Sequence, residues 1–327
     1  MRLYAISDLH LGHRENREAL QGLGSYPEDW LILGGDVGES LDHLEMALDV
    51  ATSRFARAIW VPGNHELWSN GAAEPRGDEK YQVLVELCRG YDVLTPEDPY
   101  ALWEGEGGPA VLAPLFLLYD YSFRPEHVSR ERAIAWAAES GVVSADERFL
   151  DPSPHESIEA WCRARCEETE KRLEREAGAS APVVLINHFP LRQDLVRLWR
   201  IPRFSIWCGT KRTEDWHLRF HAKVVVSGHL HVRSTEWIDG VRFEEVSLGY
   251  PRHWDQESRI DSYLREILPG PSGSGQGAEK RIRTLRARSA PGREEAVAPK
   301  AHGPRESGRP PRARSEGSEP SEERGEP

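Results

Sequence analysis

Five short apolar runs, LYAIS, WLILGG, AIWVPGN, VVLINH and KVVVSGH, each break off into side chains able to bind a cation. The first gives way to Asp8 and His10, the second to Asp36, the third to Asn64 and His65, the fourth to His188, and the fifth to His229 and His231. Runs this short, rich in aliphatic and β-branched residues and closed by Gly or polar residues, read as buried strands. Between the early ones the stretches 41–53 and 78–89 carry helical patterns, so strands and helices alternate and the class is α/β. In such sheets ligands bind beyond the carboxyl ends of the strands, so residues far apart in sequence are expected in one site.

Carboxylate, imidazole and carboxamide ligands suit manganese, iron, zinc or related divalent ions, and no cysteine takes part. A carboxylate can be shared by two ions. With two metals roughly 3.5–4 Å apart, a bridging water becomes a nucleophile while both ions neutralise phosphoryl oxygens, which is the logic of phosphate ester cleavage.

The segments SDLH, GGDVGE, GNHE, NHFP and GHLH, in that order, resemble the motif set of calcineurin-like metallophosphoesterases over roughly the first 250 residues. The resemblance implies a four-layer sandwich, two mixed β-sheets flanked by helices. It implies that Asp8, His10 and His231 hold one metal, that Asp36 bridges, and that Asn64, His188 and His229 complete the second site. His65 matches the residue that lies near substrate in this family and is expected to act as general acid. Two departures stand out: Glu39 occupies the last position of the GDxxD pattern, one methylene longer than Asp, and GNHD is GNHE here, with Glu66. Glu39 is expected to support His65 through a hydrogen bond. Two divalent ions are implied, manganese first and iron, zinc, cobalt or nickel as alternatives, with a metal-bridging hydroxide as nucleophile.

The expected activity is hydrolysis of a phosphate ester, with a small-molecule phosphomonoester ahead of a phosphodiester such as a cyclic nucleotide. A phosphoprotein phosphatase has less support, and a non-catalytic metal-binding scaffold would leave a full ligand set idle. The net charge of −12 argues against nucleic-acid binding, since the acidic residues lie mainly in the body. From Pro269 onward roughly 12 basic and 9 acidic residues sit among Pro, Gly and Ser, a composition that buries too little surface to order itself. The expected organisation is a domain over 1–268 and a disordered tail over 269–327.

Within the domain, 119–177 is expected to form a helical insertion. Its second part starts with Ser153 as N-cap, Pro154 at the first position and Glu156 closing a capping box. Ile158, Trp161, Cys162, Cys166, Thr169 and Leu173 then follow at helical spacing, which makes Cys162 and Cys166 core residues and not a metal pair. STEWID and VRFEEVS around Asp239-Gly240 predict a hairpin at a sheet edge. Gly34, Gly35, Gly63 and Gly228 are expected where strands turn sharply into loops.

Outside the motifs the readings are plainer. His13 could reach a bound phosphate or be merely solvated. His43, His127, His155, His217, His221, His253 and His302 are read as surface or core. Trp68, Trp103, Trp199, Trp207, Trp216 and Trp254 are read as core for the most part, with the rim of an organic-substrate pocket as the alternative. The cations Arg192, Arg197, Arg200, Arg203, Lys211 and Arg212 could steer an anion toward the metals or equally form a solvated loop. Met1-Arg2 runs straight into the first strand and no apolar run reaches membrane length, so a cytoplasmic protein without a membrane partner is expected.

Overall fold

The computed structural model describes residues 1–71, 73–177 and 181–271. Among the described residues ten strands form two sheets. The first has the order β10-β1-β2-β3, from Arg265–Leu268, Leu3–Ile6, Tyr26–Leu33 and Phe55–Trp60. The second has the order β4-β5-β6-β7-β9-β8, from Ala101–Trp103, Ala110–Pro114, Val183–Ile186, Ala222–Ser227, Val241–Glu245 and Ser234–Ile238. The helices are α1 (Arg14–Gln21), α2 (Leu41–Arg54), α3 (Asn64–Leu67), α4 (Gly77–Gly90), α5 (Ala133–Ala138), α6 (Asp146–Phe149), α7 (Ile158–Glu176) and α8 (Trp216–Arg219).

Alternation along the strands builds the layers. Leu3, Ala5, Ile32 and Ile59 of the first sheet share one buried cluster with Leu112, Val184, Ile186, Val224 and Val226 of the second. Their neighbours Ile6, Leu31, Leu33 and Trp60 join Leu44, Leu48, Leu84 and Val85 of α2 and α4, while Val183, Leu185 and Val225 share that second cluster with Trp161, Cys162 and Leu173 of α7. Each sheet is therefore covered on both faces, and this is why its strands read as continuous apolar runs. The result is the expected sandwich. Fully burying one such aliphatic side chain contributes about 1.5–3 kcal/mol.

Strands β1, β2 and β3 run parallel, as do β5, β6, β7 and β9, so each sheet sends a set of carboxyl ends in one direction. The sheets are tied at that edge. Ser7 and Ser247 form a parallel bridge, the Leu248 N–H donates to the Ser7 carbonyl at 2.8 Å, and the Gly249 N–H donates to the Asp8 carbonyl at 3.0 Å.

The β8–β9 hairpin forms with Asp239 and Gly240 both at positive φ, as a two-residue turn of this hand requires, and β8 is the sheet's edge. The start of α7 differs from the sequence expectation. Its N-cap is Ser157, whose side chain accepts from the Ala160 N–H at 3.2 Å, and not Ser153. Ser153 is held elsewhere: its carbonyl accepts from Asp78 at the start of α4, and its N–H donates to Asp151. His155 lies 3.1 Å from Asp78 as well, so tertiary contacts claim the segment that the capping-box pattern assigned to helix. Helix in the insertion is also sparser than expected, with 119–129 in loops and turns.

The buried stripe of α7 is Ile158, Trp161, Cys162, Cys166, Thr169 and Leu173, and all four cysteines are buried and free. Among the described residues no helix is long and apolar enough to cross a membrane. The tail expected from Pro269 lies, past residue 271, outside the described residues.

Candidate metal centre

The strand ends bring Asp8, His10, Asp36, Asn64, His65, His188, His229 and His231 together. Among the described residues three overlapping groups place ligand atoms within 4.8 Å of one another: Asp8 with His10 and His231, His10 with Asp36 and His65, and Asp36 with His188 and His229. Asp36 belongs to two of them. Nearly all of this is buried, with Asp8, His10 and His188 fully inaccessible.

The loops that carry these residues are bent against their preference. Asp8, His10, Asp36, His229 and His231 all have positive φ, between 42° and 72°. A left-handed backbone is costly for residues with a Cβ, and such strain persists where the surroundings over-determine it, as at functional sites. The glycines between them have two different reasons. Gly35 has a φ of 88°, whereas Gly34, Gly63 and Gly228 have ordinary angles and are set by close approach. A Cβ on Gly228 would lie 2.3 Å from Asp8 Oδ2, and one on Gly63 would lie 2.1 Å from Asp36 Oδ1.

Each carboxylate is oriented from outside. Asp8 Oδ2 accepts from the Ser7 and Ser247 hydroxyls at 2.5 and 2.8 Å, and the His229 N–H donates to the same carboxylate. Asp36 Oδ1 accepts from the His65 N–H at 3.0 Å, leaving Oδ2 3.4 Å from His188 Nε2 and 3.8 Å from His65 Nε2. His188 Nδ1 sits 3.0 Å from the Gly34 carbonyl, which fixes the ring with Nε2 toward Asp36. Glu39 Oε1 lies 3.2 Å from His65 Nδ1, close enough to orient that ring despite the extra methylene.

Burial works against charge on Asp8, but His231 and His188 outweigh it and hold the carboxyl below its usual range. The same contest at Asp36, against His188 and His65, ends the same way. Burial also opposes charge on His188, yet Asp36 holds it up at about 10; His65, beside Asp36 and Glu39, stands at about 9. Burial and the neighbouring imidazoles hold His10 and His229 down at about 3. The two carboxylates thus gather positive charge into a closed space, and in the free protein protons on two histidines provide it.

These residues fit divalent metal ions. His188 Nε2, His229 Nε2 and Asn64 Oδ1 are buried without a hydrogen-bond partner among the described residues, as atoms that a cation would satisfy. His10 Nε2 faces His231 Nε2 at 3.0 Å, with Asp8 Oδ1 3.0 Å from the latter. Two imidazole nitrogens and a carboxylate oxygen this close are the donor set of a metal site.

Four neighbours were not marked in the sequence. Asp146, at the start of α6 in the insertion, is buried and accepts from Asn64 Nδ2 at 2.9 Å and from Trp68 Nε1 at 2.7 Å. It thereby turns the Asn64 oxygen inward, and burial pushes its own carboxyl up. Trp68 stacks on His65 with ring centroids 3.8 Å apart, so this Trp belongs to the site and not to the general core. Tyr250 stacks on His10 at 4.4 Å. His253, read from sequence as surface or core, has Nδ1 3.1 Å from Nδ1 of His231. His13 is exposed, edge-on to Tyr250. Asp146→Ala is expected to lower metal affinity by roughly 10–100-fold, the usual cost of losing a group that orients a ligand. Metal titration by calorimetry checks this, and an unchanged affinity would remove Asp146 from that role.

A carboxylate- and imidazole-lined candidate metal centre where two sheets of a four-layer sandwich meet is the arrangement of a metallophosphoesterase. The calcineurin-like phosphoesterase family matches residues 1–233, and the chain belongs to that family. It is 48% identical, over 273 residues, to the acyl-carrier-protein phosphodiesterase PptH of Mycobacterium tuberculosis (strain ATCC 25618 / H37Rv), covering 82% of this chain and 84% of the relative. The crystal structure of phosphopantetheinyl hydrolase (PptH) from Mycobacterium tuberculosis superposes with a TM-score of 0.78 at 48% identity, over 83% of this chain and 96% of that one.

Proposed function

We infer that this metallophosphoesterase is a phosphodiesterase whose substrate is the diester joining a phosphopantetheinyl group to an acyl carrier protein. The observation that carries the reading is the 48% identity with an acyl-carrier-protein phosphodiesterase across 82% of the chain. It favours the diester alternative over the small-molecule phosphomonoester that the motifs alone put first, and it makes the substrate a protein.

In the reaction, the oxygen of water bonds to phosphorus and the bond from phosphorus to the carrier's oxygen breaks. The carrier regains a hydroxyl, and the phosphopantetheinyl group leaves as a monoester. Asp8, His10 and His231 would hold one divalent ion and Asn64, His188 and His229 the other, with Asp36 shared. Bound there, two such ions would supply charge against the phosphoryl oxygens and make water more acidic. His65 would protonate the leaving oxygen: its Nδ1 is occupied by Glu39, so the proton to be given would sit on Nε2, on the Asp36 side of the ring. Trp68, stacked on one face of His65, holds that ring in place. Manganese is the first metal to supply, and a cytoplasmic place of action, which four free thiols suit, is part of the same reading.

The test is incubation of the manganese-loaded protein with a phosphopantetheinylated carrier protein, followed by intact-mass measurement, beside an aryl phosphomonoester and an aryl diester. Loss of the phosphopantetheinyl mass, abolished by chelator, is expected. A carrier protein left intact while the monoester turns over faster than the diester would return the enzyme to the small-molecule reading.

A further inference from the structure

The cations that follow His188 divide into two sets. Arg192 pairs with Asp194, Arg197 with Glu236, Arg203 with Glu139 and Arg212 with Asp120, so these four are structural. Arg200 and Lys211 are exposed and have no carboxylate partner among the described residues. Beside Arg200 stands Trp199, 81% exposed, and then Ile201, 43% exposed. An indole offers a large apolar surface, and leaving it this bare in water is unfavourable unless something covers it.

The position of this patch follows from what lies under it. Val196, Leu198 and Phe204 pack on the small cluster of Phe123, Cys208 and Leu230, and Leu230 sits between His229 and His231. Phe204 also stacks near His229, with ring centroids 5.8 Å apart. The Ile201 N–H donates to the Leu198 carbonyl and the Phe204 N–H to the Ile201 carbonyl, so the segment turns tightly back on itself. Its inner side chains rest on the loop that carries two candidate ligands, and its outer ones stand on the rim. Val232, directly after His231, adds 48% of its own surface to the outside.

We propose that Trp199, Ile201 and Val232, with Arg200 and Lys211, form the docking surface for the carrier protein, gripping an apolar residue ringed by acidic side chains on its face. The inference rests on the carrier-protein reading above and adds where the partner sits. The chemistry requires such a surface. The bond to be cut joins phosphorus to an oxygen of the carrier itself, so with the phosphate at the metal centre the carrier's body is no further away than one side chain. Whatever surrounds that oxygen must meet the rim. Two unpaired cations on a chain of net charge −12 select an acidic partner there, and an exposed Trp flanked by Arg has the composition of an interface hot spot.

The experiment compares kcat/KM of the full-length, manganese-loaded enzyme on a phosphopantetheinylated carrier protein and on a small aryl phosphodiester, for Trp199→Ala and for the double charge reversal Arg200→Glu with Lys211→Glu. For each variant KM for the carrier protein is expected to rise about tenfold or more, as for a truncated hot spot, with turnover of the aryl diester within about twofold of the parent. For the parent, added salt is expected to raise KM for the carrier alone, and in the charge reversal, where salt screens a repulsion instead, it is expected to lower it. Parent-like KM for the carrier in both variants overturns the docking surface and leaves the carrier-protein reading intact. Equal losses on both substrates overturn it too, because the patch would then support the metal centre and not the partner. A parent enzyme that cleaves the aryl diester and leaves the carrier untouched sinks the underlying reading. If Trp199→Ala splits a dimer of the parent on size exclusion with KM for the carrier unchanged, the patch serves a second copy of this chain and the docking proposal falls.

Discussion

Asp36→Asn is expected to lower kcat by roughly a thousandfold, about 4 kcal/mol of transition-state stabilisation, while the protein melts within a few degrees of the parent. The size of the effect follows from the position of the side chain. Asp36 is the one carboxylate common to two of the candidate ligand groups, and Oδ2 is 3.4 Å from His188 and 3.8 Å from His65. Asparagine has the same shape and keeps an oxygen for the His65 N–H, so the fold loses little. What it removes is a full negative charge at the junction of the two groups, where burial magnifies its pull on cations. Elemental analysis is expected to find fewer than two metals per chain. If the variant retained two metals and parent-like turnover, Asp36 would not be shared between them.

The same contrast between local and distant causes decides how much the sequence shows. Strand ends are legible because both parts of the signal are local: a doubly buried strand must be apolar throughout, and a ligand must follow it at once. That is why Asp8, Asp36, His188 and His229 stand out, and why α2, α4 and the Asp239-Gly240 hairpin lie close to where the patterns place them. Strands β4, β5 and β10 carry no such punctuation and pass unmarked. Asp146 is invisible for another reason: it reaches Asn64 across 82 positions, from a short helix whose own sequence resembles any solvated turn. Tyr250 and His253 had a usable signal. Strand β9 runs parallel to β7, so its carboxyl end points to the same edge, and the strand-end reasoning applied to VRFEEVS would have reached the segment GYPRHW just beyond it. Reading β9 only as half of a hairpin hid this. Among the rim cations, no local pattern separates Arg197, whose partner Glu236 arrives from β8, from Arg200.

Glu66→Ala is expected to cost the most stability of any single change at the site, lowering the melting temperature by roughly 10 °C or more. In sequence Glu66 is only a departure from GNHD. In the structure its carboxylate is buried and accepts three backbone N–H groups, from Asp36 at 3.0 Å and Gly63 at 3.1 Å on one oxygen and from Val37 at 2.9 Å on the other. Those donors belong to two different loops, the one that presents Asp36 and the one that presents Asn64 and His65, so a single side chain sets the distance between them. Alanine leaves three buried donors unpaired, at about 1–3 kcal/mol each, against a total stability of about 5–15 kcal/mol for a typical domain. Neither loop can close the gap by moving inward, because Gly63 already approaches Asp36 too closely to carry a Cβ. Glu66→Gln separates the contributions. Its oxygen can serve Asp36 and Gly63 while its amide opposes the Val37 N–H, so about a third of the stability loss is expected. The lost bond would then be one that no candidate ligand depends on, and metal affinity should stay near the parent's. Calorimetric melting and metal titration of the two variants measure both effects. If alanine and glutamine melted alike, or if alanine bound two metals as tightly as the parent, the spacing of the loops would be set by the strands beneath them and not by Glu66.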